Sequence, residues 1–207
     1  DDRMRAAKSG AWWESNPQRA LSNNSAVYTE KPEIGTFMKE WLSLYESKSG
    51  ERGIFNREAS TKNTIKHGRR DPDHDWLCNP CSEIILRPYQ QCNLSEIVVR
   101  STDNKETLFK KAKIAAILGT IQSTLTHFPY LRKIWKKNCE EERLLGVSLT
   151  GIYDNQLLNN WRSVHLPDLL NEMRELVIET NKEWAKKLNI PQSTATTCVK
   201  PSGTVSQ

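Results

Sequence analysis

The sequence predicts an α/β protein with parallel strands. Three observations carry that reading. Short apolar or β-branched runs recur at Ile84-Ile85-Leu86, at Ile97-Val98-Val99 and within Leu144 to Asp154, each too short for a helix and suited to a pleated surface. Longer stretches place apolar residues at helical spacing. Strands that alternate with helices pair in parallel when each helix crosses back over the sheet.

Taken in order, residues 1–32 are polar, and "SNPQRALSNNS" has a loop composition. A helix is expected from Glu33 to Lys48, because Phe37, Trp41, Leu44 and Tyr45 fall on one helical face. Gly50 to Gly53 ends it. The segment from Asn56 to Asp75, "NREASTKNTIKHGRRDPDHD", is polar throughout and reads as a long loop. Long ordered loops in compact domains are often functional. Strands follow at Ile84–Leu86 and Ile97–Val99. Asp103 and Glu106 are spaced as a capping box. Leu108, Ala112, Ala115, Leu118, Ile121 and Leu125 then trace an apolar stripe, with Pro129 past the helix end. Leu144 to Asp154 is a strand with glycine on both sides. Pro167 stands at a helix start, and Leu170, Met173, Val177, Trp184 and Leu188 run down one side of that helix. "STATTCVKPSGTVSQ" is a small-residue strand entering a glycine turn. A strand and turn at a bare terminus, after a start without Met, suggest an internal piece of a longer protein. The expectation is one partial domain over residues 1–207.

Composition narrows the function classes. Hydrophobic residues make up 37% of the 207 and charged residues 27%, consistent with a wet surface. No apolar run approaches the roughly 20 residues that cross a bilayer, so no membrane partner is expected. The first residues lack the apolar core of a signal peptide. A cytoplasmic setting with reduced thiols is the expectation. Five cysteines there point to metal or redox chemistry before structural disulfides. The net charge of +5 is scattered among acids, in "KKAK" and in the lysine pairs at Lys136 and Lys186, as on solvated helix faces. No basic stretch is interleaved with aromatics, so no nucleic-acid module is indicated. A mild positive field suits a phosphorylated small substrate.

Three cysteines gather in "WLCNPCSEIILRPYQQCNLSEI", Trp76 to Ile97. Three readings compete: a metal clip, a disulfide and sulfur chemistry. His74, Cys78, Cys81 and Cys92 supply four donors for zinc, but the second CxxC or HxxxH of a zinc ribbon or finger is missing. A thioredoxin-like CxxC opens a helix, whereas Pro80-Cys81 leads into an apolar strand. Free cysteines are also simply small core residues, a reading that suits Cys139 and Cys198 better than Cys78. In an extended segment, residues i, i+2 and i+4 share a face about 6.5–7 Å apart. Asn79, Cys81 and Glu83 then line one edge: an amide, a thiol and a carboxylate, spaced to bracket one sugar ring.

"NPCSEI", with a second cysteine eleven positions on in "CNLSEI", resembles ribonucleotide reductases. More narrowly, it resembles the adenosylcobalamin-dependent, monomeric ribonucleoside-triphosphate reductases. "NPQRALSNNSAVYTEKP" (Asn16 to Pro32), "ERGIFNR" (Glu51 to Arg57), "RLLGVSLTGIYD" (Arg143 to Asp154) and "TTCVKPSGTVS" (Thr196 to Ser206) occur in the expected order. The asparagine-proline-cysteine form favours the cobalamin enzymes over the di-iron class. Ser82 departs from the pattern, since glycine is common there.

The resemblance implies part of a ten-stranded α/β barrel, with the 79–83 loop as a finger in its centre that shields Cys81 from water. It implies radical chemistry. Cys81 becomes a thiyl radical and takes the 3′ hydrogen of a ribonucleotide. Glu83 takes the 3′-hydroxyl proton, and Asn79 bonds the ribose. Cys92 and a partner cysteine supply two electrons as they close a disulfide, which a thioredoxin-like or dithiol reductant reopens. That partner lies upstream in the family, and neither Cys78, Cys139 nor Cys198 has a matching context. The implied cofactor is adenosylcobalamin and the implied substrate a ribonucleoside triphosphate, with dNTP effectors acting through other regions. "KPSGTVS" is not a Walker A loop, but the matching family loop binds substrate phosphates, which assigns Ser202, Gly203, Thr204 and Val205. Ser22 and Asn23, in "RALSNNSAVY", are further substrate-binding candidates. Two rivals are a reductase with a di-iron radical subunit and a non-enzymatic zinc module.

Overall fold

The computed structural model describes residues 2–48, 52–160 and 162–200. They form two compact units, divided between Ile85 and Leu86.

In the first unit, two short helices, α1 (Asp2–Arg5) and α2 (Trp12–Ser15), and a 3-10 turn at Pro17–Leu21 precede strand β1 (Ser25–Tyr28). The polar N-terminal stretch is therefore not all loop. Its "SAVY" run is too short for alternation to stand out beside polar flanks, yet it pairs in parallel with β2 (Gly53–Asn56), Ser25 opposite Gly53 and Tyr28 opposite Asn56. Helix α3 (Ile34–Ser47) crosses between them, as the apolar spacing predicts. Its aromatic stripe does not turn inward as a whole: Trp41 is 55% exposed and Tyr45 76% exposed. The residue that α3 buries is Glu40, 4% exposed. Arg5 Nε donates to Glu40 Oε2 at 2.9 Å, and Arg52 Nε to Oε1 at 2.5 Å. A buried carboxylate survives only when paired in this way.

Burial alone would raise the Glu40 carboxyl, but hydrogen bonds and charge from Arg5 and Arg52 outweigh it and hold the group below its ordinary range. A depressed folded pKa gives stabilisation that is present above the unfolded carboxyl value, about 4.3, and lost as pH falls through the folded value. Amide exchange in α3 is therefore expected to accelerate as pH drops below about 4, after correction for intrinsic exchange. Glu40→Gln should remove that pH dependence. An unchanged acid response in Glu40→Gln would assign the effect to other groups.

Residues 57–67 form α4 (Arg57–His67) rather than loop. Its one large apolar residue, Ile65, is 61% exposed, so periodicity is silent. The ends carried the signal. Asn56 Oδ1 accepts from Ala59 N at 2.9 Å, and Gly68 takes φ 61° past the last turn. The inward face is polar: buried Ser60 and Thr64 return their hydroxyls to the carbonyls of Asn56 and Ser60. Two short strands, β3 (Leu77–Cys78) and β4 (Ile85–Leu86), flank the 79–84 loop.

The second unit is built on β5 (Asn93–Val98) and β6 (Leu145–Thr150), parallel with Asn93 opposite Leu145 and Val98 opposite Thr150. Residues 195–198 extend along the other side of β6. Leu145 N donates to Ala195 O at 2.9 Å, Cys198 N donates to Val147 O at 3.1 Å, and Thr197 pairs in parallel with Val147. Helices α5 (Lys105–Gln122) and α7 (Leu166–Leu188) cover this sheet. Ile97, Val99, Leu108, Ala112, Val147, Met173 and Val177 form the core. The parallel α/β reading holds. The described residues show short parallel ladders, not a closed barrel.

Details of the helices differ from expectation. The capping box sits one residue later. Thr107 N donates to Asn104 Oδ1 at 2.9 Å, and Asn104 N to Thr107 Oγ1 at 3.0 Å. Asp103 instead accepts from Arg100 N and pairs with Lys111. Along α5 the buried line runs through Leu108, Ala112, Ala115, Ala116, Gly119 and Thr120, while Leu118, Ile121 and Leu125 face outward. Small residues let α5 approach β6: a Cβ on Gly119 would lie 3.2 Å from Leu145. On α7, Met173 and Val177 are buried but Leu170 is 40% exposed. Buried Asn181 ties the layers together, donating to Thr120 Oγ1 and Ser193 Oγ and accepting from Ser193 N, each at 2.9 Å. Helix α6 (Lys133–Glu142), which contains Lys136, precedes β6 and buries Cys139. Burial pushes the Cys139 thiol up, which suits an inert packing residue.

The expected strand from Leu144 to Asp154 stops at Thr150. Gly151 turns the chain at φ 78°, into a 3-10 turn at Ile152–Asp154. A Cβ there would lie 2.6 Å from Val99 O. Gly151→Ala is expected to destabilise by about 2 kcal/mol or more, because left-handed strain costs about 1–2 kcal/mol before the backbone clash is added. A denaturation midpoint equal to wild type would contradict this.

Candidate active site

The 79–84 loop rests on a buried platform. Trp76 is 0% exposed. Arg57 Nε, at the start of α4, donates to Trp76 O at 3.0 Å, and Trp76 Nε1 donates to Pro72 O at 3.3 Å. The Arg70 guanidinium lies over the indole, 4.4 Å from the ring centroid. Arg70 Nη1 donates to Ile85 O at 2.8 Å. The arms on either side of the loop are thereby fixed to a common base.

Above the base the chain reverses. Asn79 N donates to Ile84 O at 3.3 Å, and Ile84 N donates to Asn79 Oδ1 at 3.0 Å. Ser82 N donates to Asn79 O at 3.0 Å, closing a turn over Asn79–Ser82. Pro80 sits at the second position of that turn, where its fixed φ is favoured. Ser82 adopts φ 66°, the left-handed region that a side chain enters at a cost and glycine enters freely. The extended reading of 79–83 is thus corrected. A tight turn abolishes the two-residue alternation that put Asn79, Cys81 and Glu83 on one edge and Pro80 and Ser82 on the other.

What the turn does with each group is specific. Asn79 spends its carbonyl oxygen on the loop neck, leaving the Nδ2 donors for a ligand. Cys81 is exposed at the turn; the shielding implied by the family resemblance is not supplied by the described residues. Glu83 is half-buried, and its Oε2 is buried without a hydrogen-bond partner among the described residues. Orphaned buried oxygens are rare and call for an explanation. Cys78 Sγ lies 3.5 Å from Ser82 Oγ.

The same unit brings a second expected segment to this loop. A Cβ on Gly53 would lie 2.8 Å from Ser25 Oγ and 3.9 Å from Ser82 Oγ. The start of β1 and the turn thus meet over a residue with no side chain. Exposed Ser22 and Asn23 lie just before Ser25. Ser22 Oγ donates to Arg19 O at 3.1 Å, and Ser22 O accepts from Lys8 Nζ.

Cys92 belongs to the second unit, half-buried immediately before β5, where Asn93 N donates to Leu144 O at 2.9 Å. The stretch before it is pinned to α6. Arg87 Nη2 donates to Asn138 O and Glu141 Oε2, each at 3.0 Å, and Gln90 Nε2 to Glu142 Oε2 at 2.5 Å. Ser202, Gly203, Thr204 and Val205 lie outside the described residues. The run-in to them is held where Lys200 N donates to Ser148 Oγ at 2.9 Å.

Sequence reasoning missed Gly53, Arg57, Arg70 and Trp76. A tryptophan directly ahead of a cysteine-rich turn was the one available signal, because a large aromatic there needs a buried seat. Among the described residues, no three His, Cys, Asp or Glu side chains gather as metal ligands would. His74 packs edge-on to Trp76, 5.4 Å between ring centroids. No described helix is long and apolar enough to cross a membrane.

No family model matches the chain. Curated relatives do. Over 94% of its length the chain is 25% identical to an adenosylcobalamin-dependent ribonucleoside-triphosphate reductase of Lacticaseibacillus paracasei, covering 28% of that protein. Over 94% it is 31% identical to a probable adenosylcobalamin-dependent ribonucleoside-triphosphate reductase of Dictyostelium discoideum, covering 25% of it. It is 28% identical over 77% of its length to the enzyme of that name from Lactobacillus gasseri. The chain thus spans about a quarter of the length of these relatives. A crystal structure of a B-12 dependent (class II) ribonucleotide reductase superposes with a TM-score of 0.66 at 21% identity, covering 98% of this chain and 31% of that one. The fold is that of part of such an enzyme, and the likeness in sequence extends over nearly the whole chain.

Proposed function

We propose that this chain is part of the catalytic domain of an adenosylcobalamin-dependent ribonucleoside-triphosphate reductase, a segment of its ten-stranded α/β barrel. The whole protein would convert ribonucleoside triphosphates to 2′-deoxyribonucleotides for DNA synthesis. The observation that carries the reading is the turn at 79–84. An exposed thiol and a buried carboxylate oxygen without a partner stand two residues apart, on a braced base.

Adenosylcobalamin, when bound, supplies a carbon radical by homolysis of its cobalt–carbon bond. An exposed Cys81 fits that source, because its sulfur is open to a group bound beside it. Most of the cofactor surface is assigned to parts of the protein beyond this segment. As a thiyl radical, Cys81 removes the 3′ hydrogen of the ribose. Glu83 Oε2 accepts the proton of the 3′ hydroxyl, and the Asn79 Nδ2 donors orient the sugar. The 2′ hydroxyl takes one proton of the dithiol and leaves as water, the 2′ carbon takes the other, Glu83 returns the 3′ proton, and Cys81 returns its hydrogen. Two electrons come from Cys92 and a second thiol, which close a disulfide. A thioredoxin-like or dithiol reductant reopens it by exchange. In sum, a ribonucleoside triphosphate and a dithiol give a deoxynucleotide, a disulfide and water. Ser202, Gly203, Thr204 and Val205 hold the phosphates, and Ser22 and Asn23 are further donors to the substrate. Deoxynucleotide effectors act through other regions, and the setting is the reducing cytoplasm.

The test is deoxynucleotide formation by the whole protein that carries this sequence, with a dithiol present. Product should appear only when adenosylcobalamin is added, and from triphosphates. Turnover that ignores adenosylcobalamin and requires a di-iron subunit would assign the chain to the other reductase class. Stoichiometric zinc without turnover would favour a zinc module.

A further inference from the structure

We infer that Arg70 is a positioning residue that sets the stance of Cys81, a role resting on the reading of Cys81 as the reacting sulfur. Arg70 reaches both arms of the loop from outside it. Its guanidinium lies 4.4 Å above Trp76 in the incoming arm, and its Nη1 holds Ile85 O at 2.8 Å in the outgoing arm. Trp76 is a buried seat, 0% exposed, its carbonyl accepting from Arg57 Nε. The Asn79–Ile84 bonds close the neck nearer the tip. Beyond them stand exposed Cys81 and Ser82, the latter in a left-handed conformation. A non-glycine residue stays in that region only while its surroundings hold it there. If the arms part, Ser82 relaxes toward negative φ and Cys81 swings with it. The arms are already paired with each other as β3 and β4; Arg70 adds a brace from outside that ties this pair to the Trp76 seat and limits how far the turn, and the sulfur with it, can swing.

The two contacts need a planar cation with donors at its edge. Lysine offers a point charge that either sits over the ring or bonds the carbonyl, not both in this geometry. The role is thus one that a charge-conserving exchange fails to restore.

The experiment compares Arg70→Ala and Arg70→Lys with the unaltered whole protein. In both variants kcat should fall about tenfold, the loss expected for one charge-assisted hydrogen bond acting on the barrier, with KM within about twofold. Amide exchange at Asn79, Ser82 and Ile84 should rise about tenfold, with no change in α7. Wild-type kcat in Arg70→Lys, or uniform exchange changes across the protein, would overturn the inference. If Arg70→Ala fails to fold, Arg70→Lys carries the comparison. The exchange measurement needs no turnover. Should Cys81 prove dispensable, the functional reading fails while the loop exchange still decides whether Arg70 braces the turn.

Discussion

Cys81→Ser is expected to lower turnover of the whole protein by about 10³-fold or more, a barrier increase of about 4 kcal/mol, while leaving the fold intact. A hydroxyl cannot replace the thiol, because its O–H bond is too strong to yield a hydrogen atom in the required step. The structural side of the prediction follows from exposure. Cys81 projects from a turn held by the backbone of Asn79 and Ser82 and by the Asn79 side chain, so its sulfur bears no packing load. Surface substitutions of this kind change stability by about 0.5 kcal/mol or less. Deoxynucleotide formation and a denaturation curve on the same preparation check both halves. Near-wild-type turnover would end the assignment.

Glu83→Gln carries the second large effect. Glu83 Oε2 is buried and accepts no hydrogen bond among the described residues. An unmet buried acceptor costs about 1–3 kcal/mol; Glu96 Oε1 shares that state, and what distinguishes Glu83 is its place two residues from the exposed Cys81 thiol. A glutamate kept for chemistry leaves one open for a proton. Replacing it with the uncharged amide should lower kcat by about 10²–10⁴-fold, the range for loss of a general base. KM should change little, because the residue acts on the proton in flight. The melting temperature should stay level, since no partner of Oε2 is lost. A drop in stability with kcat preserved would make Glu83 a structural residue.

The sequence made the layers of the second unit legible. Leu108, Ala112 and Ala115 in α5, Met173 and Val177 in α7 and the β-branched run at Ile97–Val99 reflect one buried face, whereas Leu118, Ile121, Leu125 and Leu170 had the spacing without the burial. Where burial is polar, the pattern is silent. Helix α4 turns Ser60 and Thr64 inward, and α3 turns in Glu40 against two arginines, so both faces were misjudged or missed. The cysteine loop shows the same limit at a finer scale. Its residue types marked the chemistry, but its shape depends on Ser82 adopting a positive φ and on Asn79 bonding Ile84 across the neck. Neither is encoded in spacing. The approach of Ser25 and Ser82 over Gly53 is likewise a tertiary fact, joining segments distant in the chain.

The central claim is that the sulfur of Cys81 carries an unpaired electron during turnover. Freeze-quench electron paramagnetic resonance on the whole protein, mixed with adenosylcobalamin and a ribonucleoside triphosphate, measures this directly. A radical signal should form at a competent rate, narrow when cysteine is deuterated at Cβ, and vanish in Cys81→Ser. A signal that persists unchanged in Cys81→Ser, or that ignores cysteine deuteration, would contradict the account.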